Sequence, residues 1–359
     1  MRNPVVVREA FRHLDGLSNT ANGDSALVCG IALNHQTDKA FVLFKNGSLK
    51  FYDNSNDLLT CYSTIKLEFE GLRETWIKID YVAAIGTIVC VSQEGSIATV
   101  SDTNPDEAPE QIGMIDNGIS SAAWSPDYSC LLLVTNNDTL LCMSANWDVL
   151  YEVPHPPLIA GSATTVSWKG DGDMVSVLST DQDDQTTRIR LYNKQLELVS
   201  IARNVNEGGG NMGGGGAGGV KGIGKAMAFS PNGVLVAFDM KKPSGSHQIA
   251  FIEKNGLRHG EFDLPYPRGE NEGYDPSSTF LLVHWHHAVT AEGCVQIYHR
   301  HNYYWYLGQE FAEKHLQPLT FDPEHPEVLY LTHLLSPSDS SAAGTYVLRT
   351  VELGWAGYE

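Results

Sequence analysis

Short apolar runs recur along this chain at nearly even spacing, and that spacing limits what it can fold into more than any other feature. The runs are AFVLF (40–44), GTIVCV (86–91), CLLLV (130–134), MVSVL (174–178), VLVAF (234–238), FLLVHW (280–285) and VLYL (328–331). Each has the length and residue types of a buried strand. Measured from Val42, Ile88, Leu132, Val175, Leu235, Leu281 and Val328, the intervals are 46, 44, 43, 60, 46 and 47 residues. A period in the forties is that of a propeller blade, not of a helical solenoid. The one long interval contains the run GGGNMGGGGAGG (208–219), so a Gly-rich insertion at about 206–224 is expected between two blades.

Within a repeat the order of signals is constant. ISSAAWSPDYSCLLLVTNNDTLLCMSANWDVLYEV (119–153) reads as a strand, a Ser-Pro-Asp turn, an apolar strand, an Asn-Asn-Asp turn, a third strand and a fourth, and 164–200 and 226–262 repeat the order. The turn tetrads SPDY, KGDG and SPNG use Pro, Asp, Asn and Gly because those positions need preset or positive φ. The last repeat offers three strands, and PVVVREAF (4–11) is a strand with no blade of its own. The expected fold is therefore all-β: one seven-bladed, WD-repeat-like β-propeller over residues 1–359, closed by pairing of the N-terminal strand with the last blade.

Composition excludes several classes. A net charge of −19 repels a phosphate backbone, so direct nucleic-acid binding is not expected. No window approaches the roughly 18 apolar residues of a membrane span, and the N-terminus has no signal-peptide core. Cys29, Cys61, Cys90, Cys130, Cys142 and Cys294 form no C-x-x-C pair, and four of them lie in apolar runs as small hydrophobes, which suits a reducing compartment. The expected location is the cytoplasm, with the nucleus as a second.

The Gly-rich run ends as Gly219-Val220-Lys221-Gly222-Ile223-Gly224-Lys225-Ala226, a near match to the phosphate-binding G-x-x-x-x-G-K-[ST] pattern. Such a loop needs a buried strand before it and a helix after it. Here a polar segment precedes it, two strands follow, and Ala226 stands where the hydroxyl belongs, so a surface loop is expected. Histidines cluster at His284, His286 and His287 and at His299 and His301. On a continuous strand His284 and His286 would share a face, as two metal ligands could, but no acidic or thiol partner completes a set, and structural histidines are expected. In NYYWY (302–306), Tyr303 and Trp305 fall on one face and Tyr304 and Tyr306 on the other. These four aromatics are the candidate partner-contact residues, with core packing on at least one face as the competing reading. No catalytic constellation is identifiable, no cofactor or metal is expected, and acidic stretches such as TDQDDQTT (180–187) and GENEGYD (269–275) read as solvated loops.

Beyond architecture, ISSAAWSPDYSCLLLVTNNDTLLCMSANWDVLYE, VSWKGDGDMVSVLS with RIRLYNKQLEL, HQIAFIEKNGLRHGEFDLP and NYYWYL resemble, in order, the N-terminal propeller of the largest subunit of the Elongator complex. FIEKNGLRHGEF is the most specific of these, because generic WD-repeat chains lack it. The resemblance implies a non-catalytic scaffold for wobble-uridine modification of tRNA, the radical S-adenosylmethionine and acetyl-CoA chemistry lying in another subunit. It implies other Elongator subunits as partners, the catalytic one included, with tRNA met only through the complex and no membrane or small-molecule substrate. The family's second propeller, dimerising solenoid and basic tRNA-binding segment are not recognised in these residues, so their roles are not carried over. Two other readings stay open: a general WD-repeat adaptor of another assembly, and a propeller enzyme with a metal in its central channel. The strands SAAW, TTVSW, AMAF and PLTF offer no His, Asp or Glu for that channel.

Overall fold

A computed structural model describes residues 4–13, 27–53, 60–69, 74–159, 161–162, 164–202, 222–230, 233–242, 244, 246–264, 280–284, 287–291, 295–301, 304–311, 316–322, 325, 327–335 and 345–355. The regular elements among them are all strands. The first blade contains β2 (Val28–Asn34), β3 (Lys39–Phe44), β4 (Ser48–Asp53) and β5 (Thr60–Lys66), and the second β6 (Trp76–Val82), β7 (Thr87–Ser92), β8 (Ser96–Ser101) and β9 (Glu110–Met114). Next come β10 (Ile119–Trp124), β11 (Leu131–Thr135), β12 (Thr139–Met143) and β13 (Val149–Pro154), then β14 (Thr165–Trp168), β15 (Met174–Thr180), β16 (Thr187–Asn193) and β17 (Leu198–Ile201). Two further blades hold β18 (Ile223–Phe229), β19 (Leu235–Lys241), β20 (His247–Glu253) and β21 (Arg258–Asp263), and β22 (Phe280–His284), β23 (His287–Ala291), β24 (Val295–His301) and β25 (Tyr304–Phe311).

The all-β propeller class stands, and the N-terminal strand pairs with the last sheet as expected, but the count of seven blades is corrected to six. Six blades are built as the repeat implied, each from four consecutive strands. The last apolar run belongs to a sheet that is not a self-contained repeat: it holds β26 (Leu316–Phe321), β27 (Val328–Leu335) and β28 (Thr345–Trp355), and its fourth strand is β1 (Pro4–His13) from the far end of the chain. Counting apolar runs counts middle strands, and the middle strand of this composite sheet looks like any other. β1 lies antiparallel on β28, from Pro4 opposite Trp355 to His13 opposite Val347, with Glu9 paired to Arg349. The residues divide into a unit of residues 1–122 with 311–359 and a unit of residues 123–310, each described by itself.

Inside each unit the apolar runs are continuous because both faces of a blade are covered. On the first blade Phe41, Leu43 and Phe51 point into a cluster with Trp76, Ile79 and Ile88 of the second blade. The alternate residues Ala40, Val42, Phe44 and Tyr52 point the other way, against Tyr330 and Leu348 of the composite sheet. The other unit repeats the pattern about β19, where Val236 and Phe238 pack with Leu178, Ile189 and Leu191, while Leu235 and Ala237 pack with Phe251 and Tyr298.

The edges follow a rule of their own. In β1, β5, β9, β13, β17 and β21, six of the strands that end a sheet, the register slips by one residue, which leaves Val7, Tyr62, Ile112, Leu150, Val199 and His259 without a partner opposite. A bulge of this kind bends and twists the strand that carries it.

Candidate partner-docking site

Of the four candidate aromatics, three are described, and they divide by strand alternation; Tyr303 lies outside the described residues. Trp305 turns inward. Its ring stacks on Phe251 (5.5 Å between centroids, 9° between planes) and on Phe262 (5.5 Å, 28°), and Phe262 in turn meets Tyr298 at 4.7 Å. Trp305 is thereby a packing residue between two successive blades, as the core reading of that face held. Tyr304 and Tyr306 turn outward, 68 % and 37 % exposed, with Leu307 exposed beside them. Tyr306 lies against the buried His299 ring at 5.6 Å.

The strand under these rings is held firmly. Gln296 of β24 donates to Glu310 of β25 at 2.6 Å and accepts from the Tyr298 hydroxyl at 2.7 Å. β25 is the outermost strand of its sheet, and its Tyr304 and Tyr306 face solvent. Two phenol rings with an adjacent leucine offer apolar area, π faces and hydroxyls at low conformational cost, which is the chemistry of a recognition surface.

The remaining sequence features resolve differently. His284 ends β22 and His287 begins β23, directly opposite each other, while His286 lies outside the described residues. His287 is in turn opposite His299 on β24. Among the described residues no group of three or more His, Cys, Asp or Glu side chains could hold a metal ion.

Residues 206–221 of the Gly-rich segment lie outside the described residues. Its end is described and is a strand, not a helix, with Lys225 exposed. Gly222 has φ +80° and Gly224 faces a carboxylate: a Cβ there would sit 1.7 Å from Asp239 Oδ2. Between Ile223 and Met227 the strand bulges against β19, and the buried Asp239 fills the gap, accepting the Ala226 N–H at 2.8 Å. Gly224 is thus required by close packing of a carboxylate of this chain.

Two readings are corrected. TDQDDQTT is not simply a solvated loop: Asp181 is buried and accepts from both Arg188 and Arg190 at 2.5 Å, while Asp184 takes the other side of Arg188. The signal available was RIR in β16, two arginines at strand spacing and therefore on one face, next to an acidic turn. Cys130 and Cys142 are not separate apolar fillers but a disulfide from the residue just before β11 to β12, with Cα atoms 6.1 Å apart. Burial pushes the Cys29 thiol up to about 12, so it stays protonated. Cys294 and GENEGYD lie outside the described residues.

Four-stranded antiparallel blades whose faces are buried against their neighbours define a β-propeller. A family model described as the ELP1 first N-terminal beta-propeller matches residues 1–157 and 159–324. The chain belongs to that family, the N-terminal propeller of Elongator subunit 1. It is 26 % identical to Elongator complex protein 1 of Schizosaccharomyces pombe, the match covering 91 % of this chain and 29 % of the relative. It is 25 % identical to Elongator complex protein 1 of Rattus norvegicus over 68 % of this chain and 21 % of the relative. A putative Elongator complex protein 1 of Xenopus laevis is 30 % identical over 48 % of this chain and 14 % of the relative. The chain therefore spans less than a third of the length of these relatives.

Proposed function

We propose that this chain is a non-catalytic docking module of the Elongator complex, part of the scaffold on which another subunit modifies the wobble uridine of tRNA. The observation that carries this reading is the family match across nearly the whole chain. The net charge of −19 supports a role in which tRNA is met only through other subunits, and the cytoplasm is the proposed site of action, with the nucleus as a second. The outward face of β25, Tyr304 and Tyr306, is the proposed contact with a neighbouring subunit.

Size-exclusion chromatography of the tagged chain with the other Elongator subunits, the catalytic one included, tests this. Co-elution is expected, and replacing Tyr304 and Tyr306 together by Ser is expected to weaken it by about 2 kcal/mol or more, the scale of exposed aromatic anchors. A folded chain that elutes alone, or that captures a different assembly, overturns the proposal. Co-elution that the double replacement leaves unchanged overturns the assignment to β25 alone.

A further inference from the structure

The connection between β13, which ends at Pro154, and β14 contains Pro156 and Pro157, which have no N–H to offer, so a few bonds hold it. On one side the His155 and Leu158 amides donate to the Asp138 carbonyl (2.7 Å) and to its Oδ1 (3.3 Å). On the other, the Ile159 amide donates to Thr180 O at 3.2 Å and the Gln182 amide to Pro157 O at 2.7 Å. Between the two sides sits the imidazole of His155, 4 % exposed. Its Nδ1 is 2.8 Å from Pro156 O, an acceptor only, so Nδ1 carries the proton. Nε2 then has a lone pair facing Ser179 Oγ at 3.3 Å, and the hydroxyl donates to it. Ser179 Oγ accepts from Arg190 Nη1 at 3.2 Å, and Arg190 Nη2 donates to Asp181, which also holds Arg188.

With His155 neutral, each contact in that chain sets one donor against one acceptor. We propose that His155 is a proton-operated clasp, which holds residues 155–159 onto the C-terminal end of β15 and the turn after it while neutral and releases them when Nε2 is protonated. A proton on Nε2 places two donors, the imidazolium and Arg190, on one hydroxyl oxygen and forces the Ser179 hydroxyl to turn away. It also puts a second cation beside the Arg190 guanidinium in a buried site.

The charged groups facing the ring are Arg190 of β16, which opposes protonation, and Asp181 and Asp138, the turn residues on either side, which favour it. Burial, the largest influence, also opposes it, and His155 is held below the ordinary histidine range. A histidine depressed in the folded chain adds stability above the unfolded value, about 6.5, and loses it as pH falls from there toward the folded value. The clasp is closed at neutral pH and opens in mild acid.

Amide exchange of the intact chain at pH 7.5 and pH 5.0, corrected for the intrinsic effect of pH, tests this at four reporters: the amides of His155, Leu158, Ile159 and Gln182. Their protection is expected to fall together by about tenfold or more at the lower pH, while the amides of β11 keep theirs. His155→Gln, which keeps a donor and an acceptor but does not titrate, is expected to hold its protection at both pH values. Unchanged protection in the wild type, or an equal loss in the Gln variant, overturns the proposal. Should that variant not fold, NMR titration of the wild-type imidazole decides: the ring and the Gln182 amide must share a midpoint, and separate midpoints overturn the proposal.

Discussion

Adding a single methyl group at Gly224 tests whether this glycine answers to packing or to a ligand. A Cβ there would stand 1.7 Å from Asp239 Oδ2 and 2.3 Å from its Cγ, distances at which the carboxylate must leave. Its departure strips the Ala226 N–H of an acceptor in a buried bulge, a loss of about 1–3 kcal/mol, and displacing a buried side chain adds about 1–3 kcal/mol. Against this, replacing glycine lowers the entropy of the unfolded chain by about 0.4–1 kcal/mol in favour of folding. The net expectation for Gly224→Ala is a loss of about 2–4 kcal/mol, read as a shifted guanidinium midpoint at unchanged m-value. Asp239→Ala alone removes the same hydrogen bond without the clash. Because the two changes share that loss, the double variant is expected to fall short of the summed costs by about 1 kcal/mol or more. A Gly224→Ala protein within about 0.5 kcal/mol of wild type refutes the reasoning, as does strict additivity in the double variant.

Trp305→Ala is expected to cost about 3–5 kcal/mol in chemical denaturation by emptying the stack on Phe251 and Phe262, whereas Tyr304→Ser, on the exposed face, is expected to stay within about 0.5 kcal/mol. Arg190→Met leaves Asp181 with one guanidinium in place of two, and a loss of about 3 kcal/mol by the same assay is expected. Burial raises Glu74 above the ordinary carboxylate value despite its bond to Ser96. A carboxyl raised in the folded state adds stability below its unfolded value and loses it as pH rises through the folded one. Glu74→Gln is therefore expected to raise the melting temperature at pH 8 and to change it less at pH 4, and the reverse order would show the carboxylate to be favourably held.

Much of the architecture was legible because the blades are buried on both faces. A strand such as AFVLF must be apolar at every position when Phe41 and Val42 enter different cores, so the repeat announces itself. The number of blades was over-read for the same reason, since the run at Val328 has the same composition although its sheet borrows β1. The division of Tyr304 from Trp305 was readable from alternation alone. Contacts that cross between strands were not: Gly224 meets Asp239 fifteen positions away, across a bulge that no period encodes. The disulfide depends on the length of one hairpin, and Asp181 looks like a loop residue until Arg188 and Arg190 are brought over it.

The slipped register along the outer strands bears on how such a molecule survives at high concentration. A regular edge is a template that another chain can copy, hydrogen bond by hydrogen bond, into a growing fibre. At Tyr62, Leu150 and Val199 a flat incoming strand would fall out of step within a few residues and meet a projecting side chain instead of a carbonyl. Each rim thus works like a zipper with a tooth set wrong: it spoils propagation without weakening the cloth behind it. Crowding should drive such chains to stick through side chains, reversibly, before it drives them into ordered fibres.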